Sequence, residues 1–257
     1  MSAGPRRRPR ILLDALPFHP EDGGFSKALL DLLEACSALD EFEFTVACAQ
    51  DQAHHLRRFG LRVVSVPLPL RARYLTGAAT LPAIAARLRC DAIHCEISAS
   101  PWVVGAARSV TVHDLYALAA PQTLPSGVAS WPIRAYWTRY FKAGLLRADL
   151  VKAISAATAC DLREMIGRDL PIRVIQPHCP QPSPVGRVWP RDGEPLRLLT
   201  VGSIAPRRNV GFLIKAMKQV RRPWTLDVVG KYMWGGISSR IRMMGGSPGT
   251  GSFRHLI

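Results

Sequence analysis

Strand-like apolar runs alternate with helical periodicity along most of this chain. The first run, RILLDAL at 10–16, leads through a Gly-Gly loop into FSKALLDLLEACSAL. Phe25, Leu29, Leu30, Leu32, Leu33 and Cys36 fall there close to one helical stripe. The runs FEFTVACA, RVVSVPL, DAIHCEI, SVTVHDL, DLVKAIS and PIRVIQP follow in order. Several are continuous and rich in Val and Ile, as parallel strands covered on both faces require. Alternation of this kind predicts an α/β domain with a mostly parallel sheet.

The pattern breaks at PHCPQPSPVGRVWPRDGEP, which is dense in Pro and Gly and has no period. A fresh strand, LRLLTVG, begins beyond it, then a short loop, a helix to about Val220 and the strand WTLDVVG. That is one βαβ unit, which needs about 30 residues. From Tyr232 onward the periodicity fails, and a Gly/Ser-rich basic tail is expected to be irregular. The expected organisation is thus a complete first domain over 1–180 and a linker over 181–195. A partial second domain over 196–231 and an irregular tail over 232–257 complete it. A doubly wound sheet needs several βαβ units to bury both faces of its strands. The second domain therefore starts without finishing: either the chain is truncated at its C-terminal end, or its tail comes from a shifted reading frame.

Charge changes this picture more than size does. The chain has 257 residues, 48% of them hydrophobic, and carries a net charge of +15 from 34 Lys and Arg against 19 Asp and Glu. Such an excess suits nucleic acid, an anionic membrane surface or phosphorylated small molecules. The arginines are dispersed except for RRRPR at 6–10, and no helix-turn-helix, zinc-finger or RRM pattern occurs, so specific nucleic-acid binding ranks last. No apolar run reaches the length of a membrane span. Asp14 and Pro17 interrupt any secretory apolar region after the basic start. The expected location is cytoplasmic, with peripheral contact at the inner face of the plasma membrane left open. WPIRAYWTRYFKAGLLRAD could serve that contact as an interfacial helix, although an amphipathic core helix is the favoured reading. The six cysteines form no C-x-x-C pair and are expected to be buried, reduced thiols.

Three places where a strand hands over to a helix carry candidate chemistry. In TVGSIAPRRNVGFLIKA, Gly202 permits a close turn, Arg207 and Arg208 supply fork-shaped donors, and Asn209 could cap the following helix. Backbone N–H groups at such a helix start favour an anion. In PFHPEDGGFSKALL, Gly23 and Gly24 would let a phosphate or sugar approach the backbone. The G-x-G-x-x-G fingerprint is absent, which disfavours a nicotinamide cofactor. In SVTVHDLYALAAP, His113 could hydrogen-bond a substrate hydroxyl and Asp114 could cap or brace the loop. GGSPGTGS is set aside as a phosphate loop, because Ser252 stands where the lysine is required.

Taken in order, these pieces resemble the family-four glycosyltransferases of the GT-B fold from Arg10 to about Gly230. The resemblance rests on EDGGFSKALLDLL, SVTVHDLYALAAP, ADLVKAISAATACDL, RVIQPHC and VGSIAPRRNVGFLIKAM. It implies a GT-B-like α/β fold: one complete Rossmann-like domain and the beginning of a second, facing each other across a cleft. It also implies transfer of a sugar from a nucleotide-diphosphate sugar, with retention, to a glycan or lipid-linked acceptor, without a metal or other cofactor. Arg208 matches the cationic position that holds the diphosphate, Ser203 stands where many members place a second arginine, Gly24 would approach the phosphates and His113 would contact the transferred sugar. The family's pair of spaced glutamates beyond the donor loop is missing: after Glu194 the only acid is Asp227. The expected alternative is a non-catalytic nucleotide-sugar or anion-binding module.

Overall fold

The structure, a computed structural model, describes residues 7–20, 23–68, 73–96, 105–115, 118, 136–166, 169–177, 194–202, 208–230 and 251–256. The chain divides into two compact units, Met1–Pro180 and Gln181–Ile257.

In the first unit, β1 (Arg10–Ala15) is followed by α1 (Gly24–Ser37), β2 (Glu43–Ala49), the short helix α2 (Ala53–Leu56) and β3 (Arg62–Val66). Next come α3 (Arg73–Leu88), β4 (Ala92–Cys95) and β5 (Ala107–Val112). A π-helical turn (Tyr136–Phe141) runs into α4 (Lys142–Leu146), and β6 (Leu150–Ala153), α5 (Ala156–Ile166) and β7 (Ile172–Val174) complete the unit. The seven strands form one sheet in the order β3-β2-β1-β4-β5-β6-β7, every pair parallel. Strand order reverses between β1 and β4, which places the topological switch point of an open α/β sheet at their carboxyl ends.

The period of two along each strand sorts the side chains into two layers. Leu12, Ile93, Cys95, Val110, Val112, Val151 and Ala153 pack on one face with Leu145 and Leu162 from the helices. On the other face Leu13, Ala15, Val46 and Cys48 meet Leu29, Leu33 and Cys36 of α1. Burying each such leucine contributes about 1.5–3 kcal/mol. Residues 136–146 of the aromatic and basic stretch are helical and send Phe141 and Leu145 into the core, as an amphipathic core helix should. Phe25 departs from the expected helical stripe. It is 40% exposed, because the buried line on α1 runs through Ser26, Leu29, Leu33 and Cys36 instead. Cys36, Cys48, Cys90 and Cys95 are buried thiols as expected, whereas Cys160 is exposed on α5. Burial pushes the Cys36 thiol up to about 11.

At the amino ends of the strands the same clasp occurs twice. The carboxylate of Asp91, just before β4, accepts the backbone N–H of Arg10 at 2.7 Å, and the Arg10 carbonyl accepts the Asp91 N–H at 2.8 Å. Asp149, just before β6, exchanges the same pair of bonds with Arg108 at 2.8 Å each. The hydrogen bond from Arg10 N–H, followed by that from the Arg7 guanidinium, holds the Asp91 carboxyl below its ordinary range.

The second unit contains β8 (Leu196–Val201), α6 (Val210–Met217) and β9 (Trp224–Val229), a βαβ unit with parallel strands. Val210, Ile214 and Met217 of α6 pack on Trp224, Leu226 and Val228. In β8, Leu199 and Val201 alternate with the partly buried Leu196 and Leu198 and stay exposed. Within the tail expected to be irregular, Gly251–Leu256 forms a strand, β10, that pairs in parallel with β9. Ser252 therefore sits on a strand, opposite Thr225, rather than in a phosphate loop.

Candidate functional site

Of the face that α1 covers, only half is apolar. Register places Leu13 of β1 beside His94 of β4, His94 beside Ser109 of β5, and Thr111 beside Lys152 of β6. Polar residues thus replace apolar ones on the same face once the sheet crosses from β1 to β4. They converge on Glu96, which is 2% exposed and lies just past the end of β4.

The Glu96 carboxylate is surrounded by donors. Thr111 Oγ1–H donates to Oε2 at 2.6 Å, and His94 Nε2 lies 3.0 Å from the same oxygen. His113 Nε2 is 3.3 Å from Oε1 and 3.1 Å from the Glu96 backbone carbonyl, and Lys152 Nζ stands 3.7 Å from Oε2. Burial alone would raise the pKa of this carboxyl. Hydrogen bonds from His113, His94 and Thr111 outweigh that effect and hold it far below the usual carboxylate range. Glu96 is therefore an ionised, buried acceptor. On the far side of His94, Nδ1 and Ser109 Oγ are 2.8 Å apart, which ties the ring to β5.

His113 follows β5 directly and is held from several sides. Its Nε2 reaches Glu96, its carbonyl accepts Thr158 Oγ1–H at 3.4 Å, and the Phe25 ring meets its imidazole edge to face at 4.9 Å. Ser155 Oγ in turn accepts the Thr158 N–H at 3.1 Å, which caps the start of α5. Asp114, the next residue, is exposed. Gly23 occupies the N-cap of α1 with φ 63° and ψ −127°, a conformation for which glycine is suited, and its carbonyl accepts the Lys27 N–H. A Cβ added to Gly23 or Gly24 would meet no described atom within 4 Å. The sequence-derived residues Gly23, Gly24 and His113 thus share the carboxyl end of the sheet, with Phe25 linking the glycine pair to the histidine.

In the second unit, Gly202 ends β8 with φ 139° and donates its N–H to the Val229 carbonyl. The Arg208 guanidinium lies over it: a Cβ on Gly202 would sit 3.8 Å from Arg208 Nε and Cζ. Arg208 is exposed and has no ion-pair partner among the described residues. Asn209 occupies the N-cap of α6, but with left-handed backbone (φ 50°, ψ 33°) and no side-chain capping bond. The expected cap is therefore made by its backbone carbonyl, which accepts the N–H groups of Phe212 and Leu213. Ser203 and Arg207 lie outside the described residues.

Sequence reasoning missed Glu96, Phe25 and Lys152 as parts of this constellation. A signal for the first was present: His94 in β4 and Glu96 just past it alternate with apolar residues, as do Ser109 and Thr111 in β5. Among the described residues, no group of His, Cys, Asp and Glu is arranged to hold a metal ion. No described helix is long and apolar enough to cross a membrane. A cavity of about 230 Å³ lined by Arg10, Glu43, Thr45 and Arg62 lies at the amino ends of the strands, opposite the His113 end.

Comparison with known proteins accords with this geometry. The chain is similar in fold to Anabaena HepE in complex with UDP-glucose, with a TM-score of 0.61 and 17% identity over 96% of this chain and 69% of that one. A glycosyltransferase from Rickettsia africae gives a TM-score of 0.60 and 14% identity, covering 98% of this chain and 69% of that one. The lipopolysaccharide outer core galactosyltransferase WaaB gives 0.57 and 12%, covering 96% and 68%. A search of curated proteins finds no match. A sequence model of the family described as Glycosyltransferase Family 4 matches residues 22–178, more than half of the chain. The protein belongs to Glycosyltransferase Family 4.

Proposed function

We propose that this glycosyltransferase takes its sugar from a nucleotide-diphosphate donor and passes it, with retention of anomeric configuration, to a glycan or lipid-linked acceptor. The observation that carries the donor assignment is the exposed Arg208 guanidinium lying over Gly202 at the start of α6. As the glycosidic bond breaks, the departing diphosphate gains negative charge. A fixed guanidinium and the N–H groups of a helix start stabilise that charge more than they stabilise the intact donor, which lowers the barrier. These groups supply the role without a bound cation, so the reaction is assigned as metal-independent. Gly23 and Gly24 leave open backbone beside α1, and His113 meets the hydroxyls of the transferred sugar.

A second reading is a nucleotide-sugar-binding module without turnover, because holding a diphosphate at Arg208 and the start of α6 does not by itself require transfer. The two readings separate in one series of measurements. A nucleotide diphosphate that raises the melting temperature of the full chain supports both. Consumption of the sugar nucleotide, undiminished by EDTA and giving a product of retained configuration by NMR, supports the first. Stabilisation without consumption leaves the second. Absence of binding, with Arg208→Ala indistinguishable from the unsubstituted protein, sinks the donor assignment.

A further inference from the structure

We infer that Glu96 is a positioning residue that locks the His113 ring with its proton on Nε2, so that Nδ1 is kept as a hydrogen-bond acceptor for a sugar hydroxyl. The two oxygens facing Nε2 are the Glu96 carbonyl at 3.1 Å and its carboxylate Oε1 at 3.3 Å. A carbonyl and an ionised carboxylate only accept, so Nε2 must donate. In the neutral imidazole the other nitrogen is then unprotonated and accepts. No described residue bonds His113 Nδ1, while Phe25 fixes the plane of the ring from the side.

The choice of a carboxylate rather than an amide follows from counting acceptors. Oε2 already receives Thr111 Oγ1–H and His94 Nε2–H, so it is the second oxygen that shares the His113 donor with the Glu96 carbonyl. A glutamine at this position has only one acceptor oxygen. Placed toward Thr111 and His94, it turns its NH₂ toward His113 Nε2–H, donor against donor. The residue-96 carbonyl is then the one acceptor left facing Nε2, set against an amide N–H, so the lock on the Nε2–H form is weakened and the ring swings away or takes its proton on Nδ1, where it can no longer accept. Glu96 acts in this way without touching the ligand itself. The ligand half of this inference rests on the assignment of His113 to the transferred sugar.

The test uses the full chain with ¹⁵N-labelled histidine, whose ring-nitrogen shifts distinguish the two tautomers. The neutral His113 ring is expected as the Nε2–H form in the unsubstituted protein and in Glu96→Asp, which keeps two acceptor oxygens. It is expected to lose that form in Glu96→Gln. Titration with UDP-, GDP- and ADP-linked hexoses and with the bare diphosphates gives the second readout. Glu96→Gln should weaken the sugar nucleotide that binds by roughly tenfold, the value of one hydrogen bond, and leave its bare diphosphate unchanged. An Nδ1–H form in the unsubstituted protein, or in Glu96→Asp if the Gln variant fails to fold, overturns the inference. So does a Gln variant that keeps both tautomer and affinity. If no sugar nucleotide binds while the tautomer changes as expected, the positioning by Glu96 stands and the donor assignment falls.

Discussion

The loops after β5 and after β8 hold corresponding places, each at the carboxyl end of a parallel strand, yet they are built in different ways. After β5, His113 is gripped through Nε2 by Glu96, through its carbonyl by Thr158 and through its ring face by Phe25. After β8, the described contacts are a backbone bond from Gly202 to Val229, the Asn209 carbonyl and a guanidinium resting on a glycine. The first junction shares its interactions with the interior of the domain. At the second, Arg208 is exposed and has no ion-pair partner among the described residues. The comparison separates a residue held for geometry from one exposed for charge.

The largest expected effect tests the first junction. Glu96→Ala leaves the donors of His94, Thr111 and His113 and the Lys152 ammonium facing a cavity, and should cost about 3–5 kcal/mol in urea unfolding. Arg208→Ala should change stability by less than about 0.5 kcal/mol while weakening nucleotide diphosphate by roughly ten- to a hundredfold. Equal stability losses in the two variants would erase the distinction. Acid sharpens it. The folded pKa of Glu96 is depressed, so its contribution is fully present above the unfolded carboxyl value near 4.5 and is lost as pH falls from there toward the folded value. The stability gap between the unsubstituted protein and Glu96→Gln should therefore narrow as unfolding is measured below that pH.

A smaller effect is expected at the glycine pair. Gly23→Ala forces a side chain onto φ 63° and should cost about 1–3 kcal/mol, although a Cβ there meets no described atom. Gly24→Ala, in an α1 residue that carries no such φ value, should be neutral or slightly stabilising. A reversal of the two would mean that space rather than backbone conformation selects glycine here. A loss of about 0.5–1.5 kcal/mol by thermal unfolding is expected for Phe25→Ala, which removes one edge-to-face contact.

The nine strands of the alternating pattern were legible from their apolar runs: inner strands of the first sheet, covered on both faces, favour continuous stretches, while β8 and β9 alternate between a buried and a more open face. The helix of residues 136–146 was legible from its apolar spacing. Gly23, Gly24, His113, Gly202 and Arg208 were legible as candidates because glycine and charge stand out where a strand ends. Glu96 was not: the alternation of polar residues along β4 and β5 marks a polar face, but that three strands aim donors at this one acid depends on register. Phe25 misled for a related reason: its spacing fits the apolar stripe, but the buried line on α1 begins at Ser26, and Phe25 stands beside it against the His113 ring. Strand β10 was hidden by the glycines and serines that lead into it, because backbone pairing with β9 does not require an apolar pattern.

Asp91 and Asp149 bear on how the sheet finds its alignment. Each reaches a strand start far away in sequence, Arg10 and Arg108, and closes two main-chain bonds there. A slide of one position would turn inward side chains outward and would also leave both acids facing the wrong amide. The rim opposite His113 thus acts as a ruler: it measures whether neighbouring strands begin level, and so whether their far ends bring Glu96, Thr111 and His113 to the same height.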